Sequence, residues 1–364
     1  MKFSSNQNEL LFFIKSAAKI ISVKSVVSAV EGFYLHTENN NLNISATNLE
    51  AGIKCYLPVE VEKEGSVVLP SKFSEIVRLL PENNLNIEVN DKFNVFIKSG
   101  NSSFSLKGTD PQEYPELTIW EEPSDLKIQV DLLRKIIRQT IFSVSHDESK
   151  AALTGILFTL ENNLITLTST DSFRLSISKG TMQTKSKNRL KFLVPVKILN
   201  ELVKFTFSEE FINIKIKNNQ ILFKIDEFLF FSKLLEESFP QVERIIPEKN
   251  STKVVVYRTE LVESLQRVML ISESNNYIFK LEIKNSSIIL KANSEAGSME
   301  ENVKAKVVGE EVEIYLNTNY LLEPLKIVDD DEVILNFKGS HGPCTINLYE
   351  EPDSFLYLLL PIKR

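Results

Sequence analysis

Alternating hydrophobic and polar positions mark three stretches of the chain that resemble one another. They read LNISATNLEAGI at 42–53, LITLTSTDSFRLS at 164–176 and IILKANSEAGSME at 288–300. Each alternates as a half-buried strand does and then enters a turn of small polar residues. Thr47, Thr170 and Asn293 occupy matching places 123 residues apart, which is about a third of the 364-residue chain. The pattern therefore predicts three copies of one domain.

Helical periodicity appears before and after each copy. Apolar residues at spacings of three and four, such as Leu10, Ile14 and Ala17, predict amphipathic helices. The predicted helices span 9–22, 71–80, 131–144, 196–205, 258–271 and 318–327. Alternation predicts further strands at 67–69, 85–89, 94–98, 211–216, 221–225 and 332–337. Because the connections have hairpin length, we expect α+β domains with antiparallel sheets.

Polar stretches that contain proline separate the copies. WEEPSD at 120–125 and PEKNST at 247–252 interrupt the periodic pattern. The predicted domains are residues 1–124, 125–249 and 250–364. Each is large enough for a core of its own. A hydrophobic fraction of 43% and a charged fraction of 25% are typical of globular protein.

Composition restricts the cellular context. The apolar runs are too short to span a bilayer, so we expect no transmembrane helix. Lys15 interrupts the first apolar run, so we expect no signal peptide. The two cysteines, Cys55 and Cys344, lie in different predicted domains. This usage favours a reducing cytoplasm and predicts neither a disulfide nor a metal framework.

The search for catalytic motifs finds none. GxGxxG, GKS, GKT and HExxH are absent, and the three histidines fall one per predicted domain. Cys344 follows His341, but GSHGPC is typical of a hairpin turn entering a strand, so we expect a buried, inert thiol. The acidic run at 329–332 is typical of a solvated turn. We therefore expect no enzyme, no metal and no cofactor; a site across an oligomer interface is the weakest alternative.

Charge is distributed unevenly. The chain has a net charge of −7, yet the six predicted helices contain twelve basic and seven acidic residues. Solvated helix faces would explain this bias. A surface that faces a polyanion would explain it as well, and such a surface binds the DNA backbone without reading sequence.

Several motifs, in order along the chain, resemble those of the bacterial sliding clamp, the β subunit of DNA polymerase III. They include TNLE at 47–50, LPSKFSEIVRLLP at 69–81, STDSFRL at 169–175, LNTNY at 316–320 and YLLLPIKR at 357–364. The resemblance covers essentially the whole chain. It implies the DNA-clamp fold, with two helices per domain lining a ring of two chains joined head to tail. It also implies a non-catalytic protein that encircles duplex DNA and tethers the replicative polymerase.

The resemblance implies a groove that binds short hydrophobic peptides of the polymerase, the clamp loader and repair proteins. Aliphatic residues would line a pocket, while Arg174, Arg244 and Asn317 would fix polar groups of the peptide. Relatives often carry Gly where Ser172 stands and His where Phe173 stands. The matching positions are Leu153, Thr170, Ser172, Phe173, Arg174, Leu175, Pro240, Arg244, Ile245, Asn317, Tyr320, Leu358, Leu360, Pro361 and Ile362.

Two further surfaces follow from the resemblance. The DNA contacts would be Lys24, Lys72, Arg78, Arg138, Lys150 and Lys197. In the dimer interface, Phe104 and Leu106 would pack against Leu270 and Ile271, with Lys72 opposite Glu300 and Glu301.

The alternative function is a repeat-built scaffold that binds proteins but not DNA. A repeated fold cannot by itself distinguish the two functions. The basic helices and the STDSFRL motif favour the clamp.

Overall fold

The computed structural model describes residues 1–21, 28–81, 84–115, 117, 124, 126–184 and 189–363. Its α-helices are α1 Gln7–Ala18, α2 Lys72–Leu79, α3 Val130–Ile141, α4 Val196–Leu202, α5 Arg258–Ser272 and α6 Thr318–Ile327. Each overlaps a helix predicted from periodicity, so those six predictions are confirmed. Asn6 begins α1 and Asn317 begins α6, and each accepts hydrogen bonds from backbone N–H groups of the first turn.

The strands include every segment predicted from alternation. They are β1 Lys2–Asn6, β2 Gly32–Glu38, β3 Asn41–Thr47, β4 Ala51–Pro58, β5 Glu60–Lys63, β6 Gly65–Pro70, β7 Asn84–Val89, β8 Asn94–Ser99, β9 Ser102–Lys107, β10 Leu126–Gln129, β11 Gly155–Glu161, β12 Leu164–Thr170, β13 Arg174–Thr181, β14 Gln183–Thr184, β15 Leu190–Pro195, β16 Phe211–Lys217, β17 Gln220–Ile225, β18 Phe228–Lys233, β19 Thr252–Tyr257, β20 Ile278–Lys284, β21 Ser287–Ser294, β22 Gly297–Gly309, β23 Val312–Asn317, β24 Glu332–Phe337, β25 Cys344–Leu348 and β26 Phe355–Leu359. Short 3₁₀ helices occur at Ser28–Glu31, Pro111–Glu113, Glu148–Leu153, Glu243–Ile245 and Glu273–Asn275.

The first of two compact units contains Met1–Val130 and Lys204–Leu234. One of its sheets runs in the order β10-β16-β17-β18-β4-β3-β2-β6, and the other in the order β5-β1-β7-β8-β9. The pairing of β18 with β4 is antiparallel and sets Phe228 opposite Cys55. Strands of the second repeat therefore continue a sheet of the first repeat.

The second unit contains Asp131–Val203 and Leu235–Arg364. Its sheet order is β15-β11-β12-β13-β26-β25-β24-β19-β22-β21-β20-β23. The antiparallel pairing of β13 with β26 joins the central repeat to the last strand of the chain. Leu261 and Leu265 of α5 are fully buried in a core cluster with the sheet. The predicted α+β fold with antiparallel sheets is confirmed.

The first two copies of the repeat form the same turn. In the first, the Thr47 hydroxyl donates to the Ala51 carbonyl at 2.8 Å, and the Asn48 side-chain oxygen accepts from the Ala51 N–H at 2.8 Å. In the second, the Thr170 hydroxyl donates to the Arg174 carbonyl at 2.6 Å. The threonine thus closes both turns over four residues, as their aligned positions predicted.

The third copy ends differently. β21 and β22 remain paired as far as Ser294 and Gly297, which leaves a two-residue turn. Gly297 has φ 138°, a backbone conformation that side chains rarely adopt. The alignment of Asn293 with the two threonines therefore holds for the strand but not for the turn that follows it.

Candidate functional site

A buried apolar cluster lies where β13 and β26 pair in the second unit. Leu175 and Leu358 are directly opposed on the two strands, and both are fully buried. Val242, in the segment before β19, packs against them. Half-buried apolar residues surround these three side chains: Ile177, Phe239, Ile246 and Leu356. We call Leu175, Val242 and Leu358 the groove floor.

Exposed apolar side chains are linked to this floor. Phe173 is 58% exposed, Ile245 44% and Leu360 38%. The Leu360 N–H donates to the Phe173 carbonyl at 3.0 Å, and the Ile245 N–H donates to the Val242 carbonyl at 3.2 Å. We call Phe173, Ile245 and Leu360 the apolar patch. Exposed aliphatic and aromatic side chains above an apolar floor are typical of a site that binds hydrophobic residues of a partner.

The turn before β13 holds Phe173 in place. The Asp171 carboxylate accepts from the Phe173 N–H at 2.9 Å, and the Thr170 hydroxyl accepts from the Ser172 N–H at 3.2 Å. Ser172 has φ 84°, in the left-handed region that glycine adopts at least cost. This geometry explains why glycine suits the position.

Arg174 has an internal role that the sequence did not predict. Its side chain is 6% exposed, its Nε donates to Asp171 at 2.8 Å, and its Nη2 donates to the Phe142 carbonyl at 2.6 Å. The guanidinium also pairs with Glu323 and lies 4.2 Å from the centre of the Tyr320 ring. Through these contacts Arg174 fixes the turn beneath Phe173 and joins it to α6. Its contact with polar groups of a bound peptide stays a prediction.

Tyr357 completes this network. It is fully buried, its hydroxyl donates to the Tyr320 carbonyl at 2.7 Å, and burial raises the pKa of its phenol. Burial by itself would lower the pKa of Arg174, but Tyr357, Glu323 and Asp171 together raise it. The network therefore keeps a charged guanidinium at all relevant pH values.

Asn317 also has an internal role. Its side-chain oxygen accepts from the Tyr320 N–H at 3.1 Å, and its amide nitrogen donates to the Asn276 carbonyl at 3.4 Å. It therefore caps α6 and positions Tyr320 rather than presenting its amide to a ligand. Of the predicted polar residues, Arg244 is the exposed cation near the apolar patch.

The remaining predicted groove residues differ in exposure. Leu153 is buried, Pro240 is exposed, and Pro361 and Ile362 are half-buried. The Ile362 N–H donates to the Tyr315 carbonyl at 2.9 Å, which fixes the end of the chain against β23.

Five residues of this site were not predicted as site residues, although two of them, Asp171 and Tyr357, lie within the motifs STDSFRL and YLLLPIKR. Val242 stands alone among polar neighbours in the sequence, so no periodicity marked it. Phe142 acts through its carbonyl, which sequence cannot reveal. Glu323 lies three positions after Tyr320 on α6, and that spacing was the available signal.

The predicted DNA contacts that the structure describes are all exposed. Lys72 and Arg78 lie on α2 of the first unit, and Arg78 pairs with Glu75 at 2.6 Å. Arg138 lies on α3 and Lys197 on α4 of the second unit. Lys150 is exposed in the 3₁₀ segment Glu148–Leu153, and Lys24 lies outside the described residues.

The predicted apolar interface residues reach the surface in both units. Phe104 is 41% exposed on β9, an edge strand, where it is directly opposed to buried Ile97 of β8. Leu106, on the same face, is half-buried. Leu270 of α5 is 73% exposed, and the neighbouring Ile271 is half-buried. Each unit thus presents an incompletely covered apolar surface at these positions.

The acidic interface residues have partners within the chain. Glu301 accepts from Arg267 and from the Ser264 hydroxyl, each at 2.9 Å, and Arg267 holds the pKa of Glu301 below its usual range. Glu300 pairs with Lys291 at 3.3 Å. Each carboxylate thus already has a cationic partner within the chain, and its contact with Lys72 of a second chain stays a prediction.

Cys55 and Cys344 are buried free thiols, as expected, and burial raises the pKa of each. The described part of the chain contains no group of three or more His, Cys, Asp or Glu residues that could hold a metal ion. No helix within it is both long and apolar enough to cross a membrane.

Comparison with known proteins identifies the family. Models of the N-terminal, central and C-terminal domains of the DNA polymerase III beta subunit match residues 1–118, 127–241 and 243–363. The chain is 32% identical to the beta sliding clamp of Halalkalibacterium halodurans and 31% identical to that of Bacillus subtilis, with 100% of both chains covered in each case.

Solved structures of the same family resemble this chain over its whole length. The crystal structure of the DNA polymerase sliding clamp from Bacillus subtilis matches with a TM-score of 0.96 at 31% identity, covering 100% of this chain and 99% of that one. The beta subunit from Thermotoga maritima matches with a TM-score of 0.91 at 28% identity, covering 100% and 99%. The chain therefore belongs to the DNA polymerase III beta subunit family, the sliding clamps, which are non-catalytic processivity factors of DNA replication.

Proposed function

We propose that this sliding clamp tethers client proteins through the apolar patch and the groove floor. The observation that carries the proposal is the exposure of Phe173, Ile245 and Leu360 above a floor that is fully formed without a ligand. A preformed site spares a peptide the cost of rearranging its receptor. The bound peptide would present Leu or Phe side chains to the patch, and Arg244 would attract an acidic group beside them.

Exposed cations on α2, α3 and α4 support the DNA part of the proposal. Lys72, Arg138 and Lys197 would contact phosphates of duplex DNA without reading its sequence. Weak, screened contacts suit a protein that has to slide, since base-specific contacts would hold it at one place. Arg78 contributes less to this surface because Glu75 compensates its charge.

We propose a head-to-tail homodimer that closes around DNA. Phe104 and Leu106 would cover Leu270 and Ile271 of a second copy, and the unpaired edge of β9 would be protected by the same contact. Apolar burial would dominate this interface, because exposed ion pairs contribute only about 0–1 kcal/mol each. We also propose a cytoplasmic location, because chromosome replication takes place in the bacterial cytoplasm, and we propose domains at 1–124, 125–249 and 250–364.

Processive synthesis by the cognate polymerase on a long primed template tests the client proposal. Ile245→Asp introduces a charge into the apolar patch, and product length should collapse. Val308→Asp is the matched control, because Val308 is also exposed, at 72%, but lies on β22 away from the patch. Equal product lengths for Ile245→Asp and wild type would reject the groove as the tether.

A further inference from the structure

A second cavity lies in the first unit, on the face of the sheet formed by β2, β3 and β4. Its volume is about 280 Å³, and Pro111, Tyr114, Pro115 and Leu117 line it opposite the sheet. The Tyr34 ring stacks on the Tyr114 ring, with 5.2 Å between ring centres. The Tyr114 hydroxyl donates to the Ser45 carbonyl at 3.4 Å, which fixes that wall to the sheet. Nothing in the client or DNA roles uses this cavity.

Two buried polar atoms of this cavity have no hydrogen-bond partner among the described residues. They are the side-chain oxygen of Asn43, a residue that is 8% exposed, and Nδ1 of His36. Leaving a buried polar atom unsatisfied costs about 1–3 kcal/mol, so such atoms point to a missing partner. Nε2 of His36 faces the Glu38 carboxylate at 3.7 Å. In the neutral tautomer that carries its proton on Nε2, Nδ1 is an acceptor.

The two acceptors belong to side chains on neighbouring strands. His36 and Asn43 are directly opposed on β2 and β3. Side chains of directly opposed residues have Cβ atoms about 4.5–5.5 Å apart. Two acceptors that each lie about 2.9 Å from the same amino nitrogen are separated by about 5 Å. A single –NH₂ group can therefore satisfy both atoms.

The charge and the walls of the cavity narrow the choice of ligand. Lys54 is the only fully charged side chain among the described residues that line it, and its ammonium lies 5.1 Å from the centre of the Tyr56 ring. A cation at the cavity disfavours a ligand ammonium and favours an anionic group. The stacked Tyr34 and Tyr114 rings favour a flat aromatic ring. An amino-substituted base with a phosphate combines these properties.

The central repeat supplies an internal comparison. A cavity of about 550 Å³ occupies the matching place in the second unit, between its sheet and the segment that contains Phe239 and Pro240. The residues 123 positions after Tyr34, His36, Asn43 and Lys54 are Leu157, Thr159, Thr166 and Ile177. The aromatic ring, the imidazole, the amide and the cation are thus specific to the first repeat.

We propose that the cavity of the first unit binds a nucleotide whose base carries an exocyclic amino group. The amino group donates to the Asn43 oxygen and to His36 Nδ1, the base packs beside Tyr34 and Tyr114, and the phosphate faces Lys54. Adenine and cytosine fit this pattern, whereas thymine has no amino group to donate.

Titration calorimetry of the full chain with dAMP, dCMP and dTMP tests the proposal. We expect dAMP and dCMP to bind with heat that saturates below about 1 mM, and dTMP to bind at least about tenfold more weakly. A short single-stranded oligonucleotide of dA, compared with free dAMP, distinguishes a strand from a mononucleotide as the source of the base.

Substitutions taken from the central repeat provide the variants. Asn43→Thr should weaken dAMP binding at least about tenfold, and Lys54→Ile should weaken it while leaving the buried amide intact. Thr166→Val, in the central cavity, is the matched control and should bind dAMP as wild type does. Circular dichroism checks folding, and the ¹⁵N resonance of His36 Nδ1 should shift when dAMP binds.

Three results would overturn the assignment. They are equal affinity for dAMP and dTMP, no binding of either at about 1 mM, or wild-type affinity in both folded variants.

Discussion

Leu358 lies on β26 and Leu360 immediately follows that strand, and the structure predicts opposite consequences for their truncation. Leu358 is fully buried in the groove floor, whereas Leu360 is 38% exposed in the apolar patch. Leu358→Ala leaves a cavity against Leu175 and Val242, and buried Leu→Ala changes cost about 2–5 kcal/mol of unfolding free energy. Leu360→Ala should cost about 1 kcal/mol or less, because much of its side chain already contacts solvent.

Affinity for a client peptide should fall more in Leu360→Ala than in Leu358→Ala. Removing an exposed apolar anchor at the centre of a peptide site costs about 1–4 kcal/mol, so Leu360→Ala should weaken peptide binding by about tenfold or more. The folded fraction of Leu358→Ala should lose less affinity, because Leu358 supports the patch from beneath. Leu358→Met preserves most of the volume and should cost less than about 1.5 kcal/mol of stability.

The assay combines urea denaturation with fluorescence anisotropy of a labelled peptide that ends in Leu-Phe. Both measurements use the same preparations, so the loss of stability and the loss of affinity can be compared directly. If Leu358→Ala keeps the wild-type denaturation midpoint but abolishes peptide binding, Leu358 contacts the client itself and our description of the floor is wrong.

Four further predictions concern the turn at Ser172, the proposed dimer interface, the proposed DNA surface and the carboxylate of Glu282. Ser172→Gly should raise the unfolding free energy by about 0.5–1 kcal/mol by relieving the positive φ, whereas Ser172→Ala, which keeps Cβ, should not; thermal unfolding compares the two. Leu270→Lys should convert the proposed dimer to a folded monomer in sedimentation experiments, and a dimeric variant would contradict the proposed interface. Replacing Lys72, Arg138 and Lys197 by Gln should reduce the salt dependence of retention on DNA, and an unchanged salt slope would move the contact surface elsewhere. The hydrogen bond from Lys280 holds the pKa of Glu282 below its usual value near 4.5. The ionised Glu282 therefore stabilises the fold above pH 4.5, and this contribution is lost as the pH falls through the lower pKa of the folded state. Glu282→Gln should make the unfolding free energy less dependent on pH in the acid range.

The architecture was predictable because its signals are local. Asn317 caps helix α6, and apolar residues recur along the helix at spacings of three and four positions. These two signals predict where the helix begins and ends. The turns after Thr47 and Thr170 repeat because a hydroxyl and a short polar side chain close them over four residues. Such hydrogen bonds join residues only a few positions apart, so a short stretch of sequence contains both partners.

The chemistry of the groove depended on contacts that sequence does not record. Arg174 looked like a ligand-binding cation, but Asp171, Phe142 and Glu323 enclose it, and two of these partners are more than 30 residues away. Leu358 and Leu360 have the same side chain, yet the pairing of β26 with β13 buries one and leaves the other partly exposed.

The sequence by itself determined the repeats, the helices, the strands and the family, since these follow from periodicity and motif order. The tertiary structure alone decided which charges are compensated and which apolar side chains are exposed. The unpartnered side-chain oxygen of Asn43 and Nδ1 of His36 belong to the second group, because only the pairing of β2 with β3 brings them together. The burial of a side chain and the compensation of a charge depend on segments that are distant in sequence and packed together in the fold. The pattern of residues along the chain therefore does not reveal them directly.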